Sequence, residues 1–250
     1  MTTTDLRRLW RKGRTAFGAI CTMPSPQVVR QLAAGGLDWI IVDCEHGPVD
    51  HPTAHAMILA TAGTGCAPLV RIAGDEPWMS KAALDYGARG INFPMICDAA
   101  GAEKAARSLR YPPAGDRQWG PFHAPAAWGL PMAEYMEAAD RDLVCMITIE
   151  HVSAVENIDA IMAVPGIDCA VIGVGDLATS LGLKGQFTHP EVGRLVARAE
   201  DGILRSGAVL GGAAPAGPAQ AEAMMSRGYR LLALGFDVTI LQRGLASLKP

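Results

Sequence analysis

The 250-residue chain is 50% hydrophobic and 19% charged, with a formal net charge of −3 and no run of Lys or Arg. A large core is therefore available, while a basic surface for nucleic acid or an anionic membrane is excluded. The six cysteines (Cys21, Cys44, Cys66, Cys97, Cys145 and Cys169) show no C-x-x-C pair or zinc spacing, which points to a reducing compartment without a disulfide framework.

The amino-terminal MTTTDLRRLWRKGR lacks the apolar centre of a signal peptide, and no stretch is long enough to span a bilayer. A cytoplasmic protein is expected. The first buried-strand pattern is AFGAIC at 16–21, followed by a helical stretch at 26–34. WIIVD at 39–43 comes next and precedes a helix at 53–62. APLVR at 67–71 and GINFP at 90–94 continue the pattern, with helices at 76–86 and 98–109. After a long break come LVCMITIE at 143–150, CAVIG at 169–173, AVLGG at 208–212 and LLALG at 231–235. Their helices are predicted at 154–163, 190–206, 217–227 and 238–247.

Most of these runs are apolar throughout, as in parallel strands buried on both faces. Eight of them interleaved with helices predict a (β/α)₈ TIM barrel forming a single domain over residues 1–250. A doubly wound open sheet is the alternative. The break at 111–133, YPPAGDRQWGPFHAPAAWGLPMA, is rich in Pro and aromatic residues. Long excursions of this kind are usually functional. Trp119, Phe122 and His123 are candidates for lining a pocket, against the alternative that they merely pack the loop.

A barrel active site lies at the carboxyl ends of its strands. Those ends hold Asp43, Glu45 and His46, then Arg71, then Glu150 and His151, with Asp176 after the sixth strand. Glu150 and Asp176 end neighbouring strands and would suit a hard cation such as Mg²⁺ or Mn²⁺, with Co²⁺ able to substitute; the alternative is that each caps a helix. Gly173 and Gly175 in GVGDLATSLG leave backbone N–H groups free to approach an anion, or simply form a tight turn. His46 reads as a general base oriented by Asp43, and Arg71 as an oxyanion contact or a counter-charge. Glu45 and His151 read equally well as supporting or surface residues, while His51, His55 and His189 sit at helix starts. None of the five lysines (Lys12, Lys81, Lys104, Lys184 and Lys249) falls in a predicted strand, which disfavours an imine mechanism.

These motifs together resemble the HpcH/HpaI family of metal-dependent (class II) pyruvate aldolases, typified by 4-hydroxy-2-oxoheptanedioate aldolase. The resemblance rests on DWIIVDCEHGPVD, PLVRI, ALDYGARGINFPM, RYPPAGDRQWG, ITIEHVSAVENIDAIMAVPGID and VIGVGDLATSLG, in that order. It implies reversible cleavage of 4-hydroxy-2-oxo acids to pyruvate (or hydroxypyruvate) and an aldehyde through a metal-stabilised enolate. By motif, Glu150 and Asp176 would bind the divalent cation, and Arg71 would contact the keto oxygen. His46 with Asp43 would move protons, and the amides of Gly175 and Asp176 would hold the carboxylate. The resemblance also implies a homo-oligomer, often a hexamer built as a trimer of dimers with exchanged C-terminal helices. Two departures stand out: Thr148 where the family usually has Gln, and GVGD where Pro-Ala usually precedes the Asp. Thr148 would leave space beside the cation and the substrate. The rival readings are an acyl-CoA lyase of the citrate-lyase type and a non-catalytic 2-oxo acid binding barrel.

Overall fold

The computed structural model describes residues 3–249. Eight parallel strands close into a barrel in sequence order. They are β1 (Ala16–Cys21), β2 (Trp39–Asp43), β3 (Ala67–Arg71) and β4 (Gly90–Phe93), then β5 (Val144–Ile149), β6 (Cys169–Ile172), β7 (Val209–Ala213) and β8 (Tyr229–Phe236). The helices of the first half are α1 (Leu6–Arg11), α2 (Pro26–Ala34), α3 (His51–Leu59), α4 (Pro77–Asp85), α5 (Ala99–Ser108), α6 (Ala124–Trp128) and α7 (Met132–Asp142). Those of the second half are α8 (Val152–Glu156), α9 (Ile158–Met162), α10 (Val174–Ser180), α11 (Pro190–Ser206), α12 (Pro218–Ser226) and α13 (Asp237–Ser247). The TIM-barrel expectation holds, and the open sheet is excluded because β8 pairs with β1.

Helix starts follow local chemistry. Ser25 and Pro26 open α2, Asp50 opens α3 by accepting from the Thr53 amide at 2.9 Å, and Asp98 opens α5 in the same way at Gly101. Two expectations needed revision. The single helix expected at 154–163 is two, α8 and α9, broken where the Asn157 side chain donates to the Cys97 carbonyl at 3.0 Å. The break at 111–133 contains α6 and runs into α7.

Two apolar clusters divide the interior. The larger lies between strands and helices and includes Val42, Val70, Phe93, Ile147 and Leu232. The smaller fills the barrel itself with Trp39, Ile41, Leu69, Met146, Leu231 and Ala233, and reaches Leu6 and Leu9 of α1. Gly18 is required here, because any side chain would collide with the Trp39 indole. Inward-facing residues alternate along each strand. On β2 they are Trp39, Ile41 and Asp43; on β3, Ala67, Leu69 and Arg71; on β5, Val144, Met146 and Thr148, with Glu150 following. An apolar plug thus fills the lower barrel, and a polar layer lies on top of it. Among the described residues no helix is long and apolar enough to cross a membrane.

Candidate active site

At the top of β2 and β3, Asp43 and Arg71 are register partners. The Arg71 guanidinium grips the Asp43 carboxylate at both ends, Nε to Oδ1 at 2.9 Å and Nη2 to Oδ2 at 2.6 Å. Both are buried. Burial by itself would lower the Arg71 pKa, but the bonds to Asp43 and the charges of Glu45 and Glu150 outweigh it and raise the value. The fork geometry explains why an Arg serves here and a Lys would not. Asp43 Oδ1 also accepts from the backbone amides of Glu45 (3.1 Å) and His46 (3.3 Å), so it shapes the turn that carries both.

The expectation that Asp43 orients the His46 ring is corrected. The Asp43 carboxylate is occupied by Arg71, and its link to His46 is to the backbone. The exposed His46 ring lies beside Glu45 instead, Nε2 to Oε2 at 3.7 Å. Glu45 Oε2 is also 3.2 Å from Arg71 Nε, yet it is buried without an aligned hydrogen bond. Burial raises the Glu45 pKa against the pull of Arg71 and His46, with Asp43 and Asp176 adding to the rise. Sequence reasoning undervalued Glu45. Its position two residues past a strand end, in the same turn as His46, was the available signal.

Glu150 follows β5 and is buried, its Oε1 accepting from the Met95 amide at 2.7 Å. Met95 reaches that position at φ 53°, the one non-glycine positive φ among the described residues. A left-handed Met costs on the order of 1 kcal/mol, so its N–H is aimed at Glu150 at the expense of local strain. On the other side, a Cβ at Gly173 would fall 2.8 Å from Glu150 Cβ and 2.9 Å from Oε2. Glycine keeps that flank open. Asp176 is exposed in the first turn of α10, close enough that its charge raises the Glu150 pKa after burial and Glu45 have done so. The first-turn amides of α10, including Gly175 and Asp176, have no partners within the helix.

Glu45, Glu150 and Asp176 thus press negative charge together, and the one buried cation nearby, Arg71, is already paired with Asp43. This donor set fits a hard divalent cation bound through Glu150 and Asp176. Among the described residues no group of three or more His, Cys, Asp or Glu side chains is arranged to hold a metal ion.

Thr148 lies in the floor, its hydroxyl donating to Asn92 Oδ1 at 2.9 Å. Asn92 escaped the sequence reading, although an amide in the middle of a four-residue strand was a visible anomaly. His151 caps α8 by accepting from the Ser153 amide, a structural position. The lysines stay outside the barrel: Lys81 donates to Gln118, Lys104 pairs with Asp75, and Lys12, Lys184 and Lys249 are exposed.

Trp119, Phe122 and His123 do not line this cup. Their segment is tied to the outer helices, Arg117 bonding Asp85 at the end of α4 and the His123 ring lying 5.2 Å from that of His55 on α3. Trp119 and Phe122 pack edge to face on each other and remain 60% and 68% exposed. The cup instead opens sideways into a cavity of about 550 Å³ lined by Glu45, Asp75, Met95, Asp98 and Lys104.

The family model described as HpcH/HpaI aldolase/citrate lyase matches residues 21–243. A hydroxypyruvate/pyruvate aldolase from Chromohalobacter salexigens is 34% identical over 232 residues, covering 92% of this chain and 91% of that protein. A 2-keto-3-deoxy-L-rhamnonate aldolase from Klebsiella pneumoniae is 34% identical over 235 residues, covering 94% and 87%. Among solved structures, an HpcH/HpaI aldolase/citrate lyase family protein from Burkholderia cenocepacia superposes with a TM-score of 0.90 at 31% identity, covering 98% of this chain and 97% of that one.

Proposed function

The chain belongs to the HpcH/HpaI aldolase/citrate lyase family, and on that premise we propose that it is a class II aldolase. It reversibly cleaves 4-hydroxy-2-oxo acids to pyruvate or hydroxypyruvate and an aldehyde. The observation that carries this reading is the buried Arg71–Asp43 pair facing the carboxylates of Glu45, Glu150 and Asp176 above an apolar plug.

Glu150 and Asp176 would hold a divalent cation, Mg²⁺, Mn²⁺ or Co²⁺. When bound, that ion supplies Lewis acidity that polarises the 2-oxo group and acidifies C3. The free first-turn amides at Gly175 and Asp176 receive the substrate carboxylate. Arg71, held by Asp43, offers its remaining N–H groups to the keto oxygen and to the enolate that develops from it. His46, exposed beside Glu45, moves the proton. In cleavage a base removes the proton of the 4-hydroxyl and the C3–C4 bond breaks. The bonding pair passes into the enolate and the aldehyde departs. The enolate then takes a proton at C3, and condensation reverses each step. The side cavity between Met95 and Lys104 offers room for the aldehyde. The acyl-CoA alternative finds less support, because Asp75 and Asp98 line the same cavity. The enzyme is further proposed to be a cytoplasmic homo-oligomer, a hexamer with exchanged C-terminal helices.

Pyruvate and hydroxypyruvate, each with an aldehyde panel, are expected to condense only when a divalent cation is supplied after exhaustive chelation. Glu150→Ala and Asp176→Ala should abolish that turnover. Full activity in the chelated protein, or a lysine adduct trapped by borohydride, would overturn the class II reading.

A further inference from the structure

We propose that Asn92 is a substrate-contacting residue that sets the choice of 2-oxo acid, its side-chain amide donating a hydrogen bond to the 3-hydroxyl of hydroxypyruvate. The proposal rests on the aldolase function above and concerns which donor substrate that site prefers.

Asn92 lies on β4, whose other residues are Gly90, Ile91 and Phe93, and it is 4% exposed. Its inward phase is shared with Gly90, whose Cβ would meet inward-facing Leu69 and Val144. Buried side-chain polar groups in folded proteins are, in the large majority, hydrogen-bonded. The acceptor is accounted for, since Oδ1 takes the Thr148 hydroxyl at 2.9 Å, and Thr148 is itself 4% exposed. The donors are not. Nδ2 has no hydrogen-bond partner among the described residues, yet it is absent from the buried side-chain atoms that lack one. It therefore borders open space, and for an inward-facing residue at this height that space is the cup. With Oδ1 engaged toward Thr148 on β5, Nδ2 is turned the other way.

Register supplies the location. Asn92 is the β4 partner of Arg71, and Thr148 precedes Glu150 by two residues on β5. The free amide thus lies in the floor between the cation that would receive the keto oxygen and the carboxylate that would hold the metal. The carboxylate of a bound 2-oxo acid is taken up by α10, and its keto oxygen by Arg71. The polar group left without a partner is the substituent at C3. Pyruvate presents a methyl group there, which accepts nothing, whereas hydroxypyruvate presents a hydroxyl. A donor in the floor distinguishes the two, because a site that expects a hydroxyl leaves its own polar group unpaired when the hydroxyl is missing.

The test compares kcat/KM for hydroxypyruvate and for pyruvate with one common aldehyde, in the metal-loaded enzyme. Asn92→Leu is expected to lower the hydroxypyruvate-to-pyruvate ratio about tenfold, the size of one well-placed hydrogen bond. Thr148→Val removes the orienting hydroxyl at constant shape and should lower the ratio by a smaller factor. Asn92→Ala carries the same expectation as the leucine variant should the latter fail to fold. A folded Asn92 variant in which both substrates fall equally, or neither changes, would overturn the inference while leaving the aldolase assignment in place. Absence of wild-type turnover on either acid would overturn both.

Discussion

Burial, and then the charges of Glu45 and Asp176, raise the pKa of Glu150, with the Met95 amide pulling in the other direction. A carboxyl whose folded pKa lies above its unfolded value stabilises the fold while protonated. That contribution is complete below the ordinary glutamate value of 4.5 and is lost as pH rises through the folded pKa. At neutral pH, without metal, the Glu150 carboxylate is therefore destabilising. Glu150→Gln retains an oxygen for the Met95 amide and removes the charge. The variant is expected to lose metal-dependent turnover and to raise the Tm of the chelated protein at pH 7, on a scale of about 2–4 °C per kcal/mol for a chain of this size. The gain should shrink toward pH 4.5. A lower Tm at neutral pH would show that the charges are better compensated than the geometry indicates.

At the scale of elements, the segment before β5 is held by a few specific contacts. Arg117 is buried, bonds both Asp85 and Tyr135, and lies with its guanidinium 4.6 Å from the centre of the Tyr111 ring. Trp128 donates to the Gly87 carbonyl at 3.0 Å. Further out, His123 meets His55, whose ring stacks on Tyr86, while His51 bonds the Tyr86 hydroxyl. Partial burial and the neighbouring His123 hold the His55 pKa below 6.5. The neutral imidazole is thus favoured in the docked state, so stability is complete above 6.5 and is lost as pH falls through the lowered value. Tryptophan fluorescence and limited proteolysis are expected to report loosening of the 119–128 segment as the pH drops below 6.5. His123→Gln should flatten that dependence. An unchanged acid profile in the variant would remove the histidine pair as its cause.

At the scale of the molecule, α13 is tethered at its base and, among the described residues, leaves its outer apolar face exposed. Asp237 is fully buried and accepts from the amides of Thr22, Met23 and Val238 and from the Thr22 hydroxyl. Beyond that anchor the apolar face stays open, with Leu241 and Leu245 at 56% and 59% exposure. Covering a leucine is worth about 1.5–3 kcal/mol, so a second copy docked here would gain appreciably. Deleting the helix would also remove the Asp237 clamp on the β1 loop, which confounds a truncation. Leu241→Glu with Leu245→Glu avoids this and is expected to convert a homo-oligomer into a monomer by light scattering, with activity falling alongside. A wild-type monomer at low micromolar concentration would reject the exchanged-helix assembly.

The eight-strand barrel was legible in the sequence because a strand buried on both faces reads as an apolar run rather than an alternation, as WIIV and VCMI do. The strand ends carrying Asp43, Arg71 and Glu150 were legible for the same reason, since charge appears where the apolar run stops. Which of those charges touch was decided by the closed barrel alone. Register sets Arg71 against Asp43 and Asn92, residues 28 and 21 positions away along the chain. No local pattern could separate a His46 ring bonded to Asp43 from one lying beside Glu45, because both carboxylates are near neighbours in sequence. Nor could it show that the aromatic segment at 119–123 lies against the outer helices, since that outcome depends on Arg117 and His123 meeting partners on α3 and α4. Periodicity encodes which way a side chain faces. Only closure of the chain into a barrel, with its fixed stagger between strands, determines what that side chain meets.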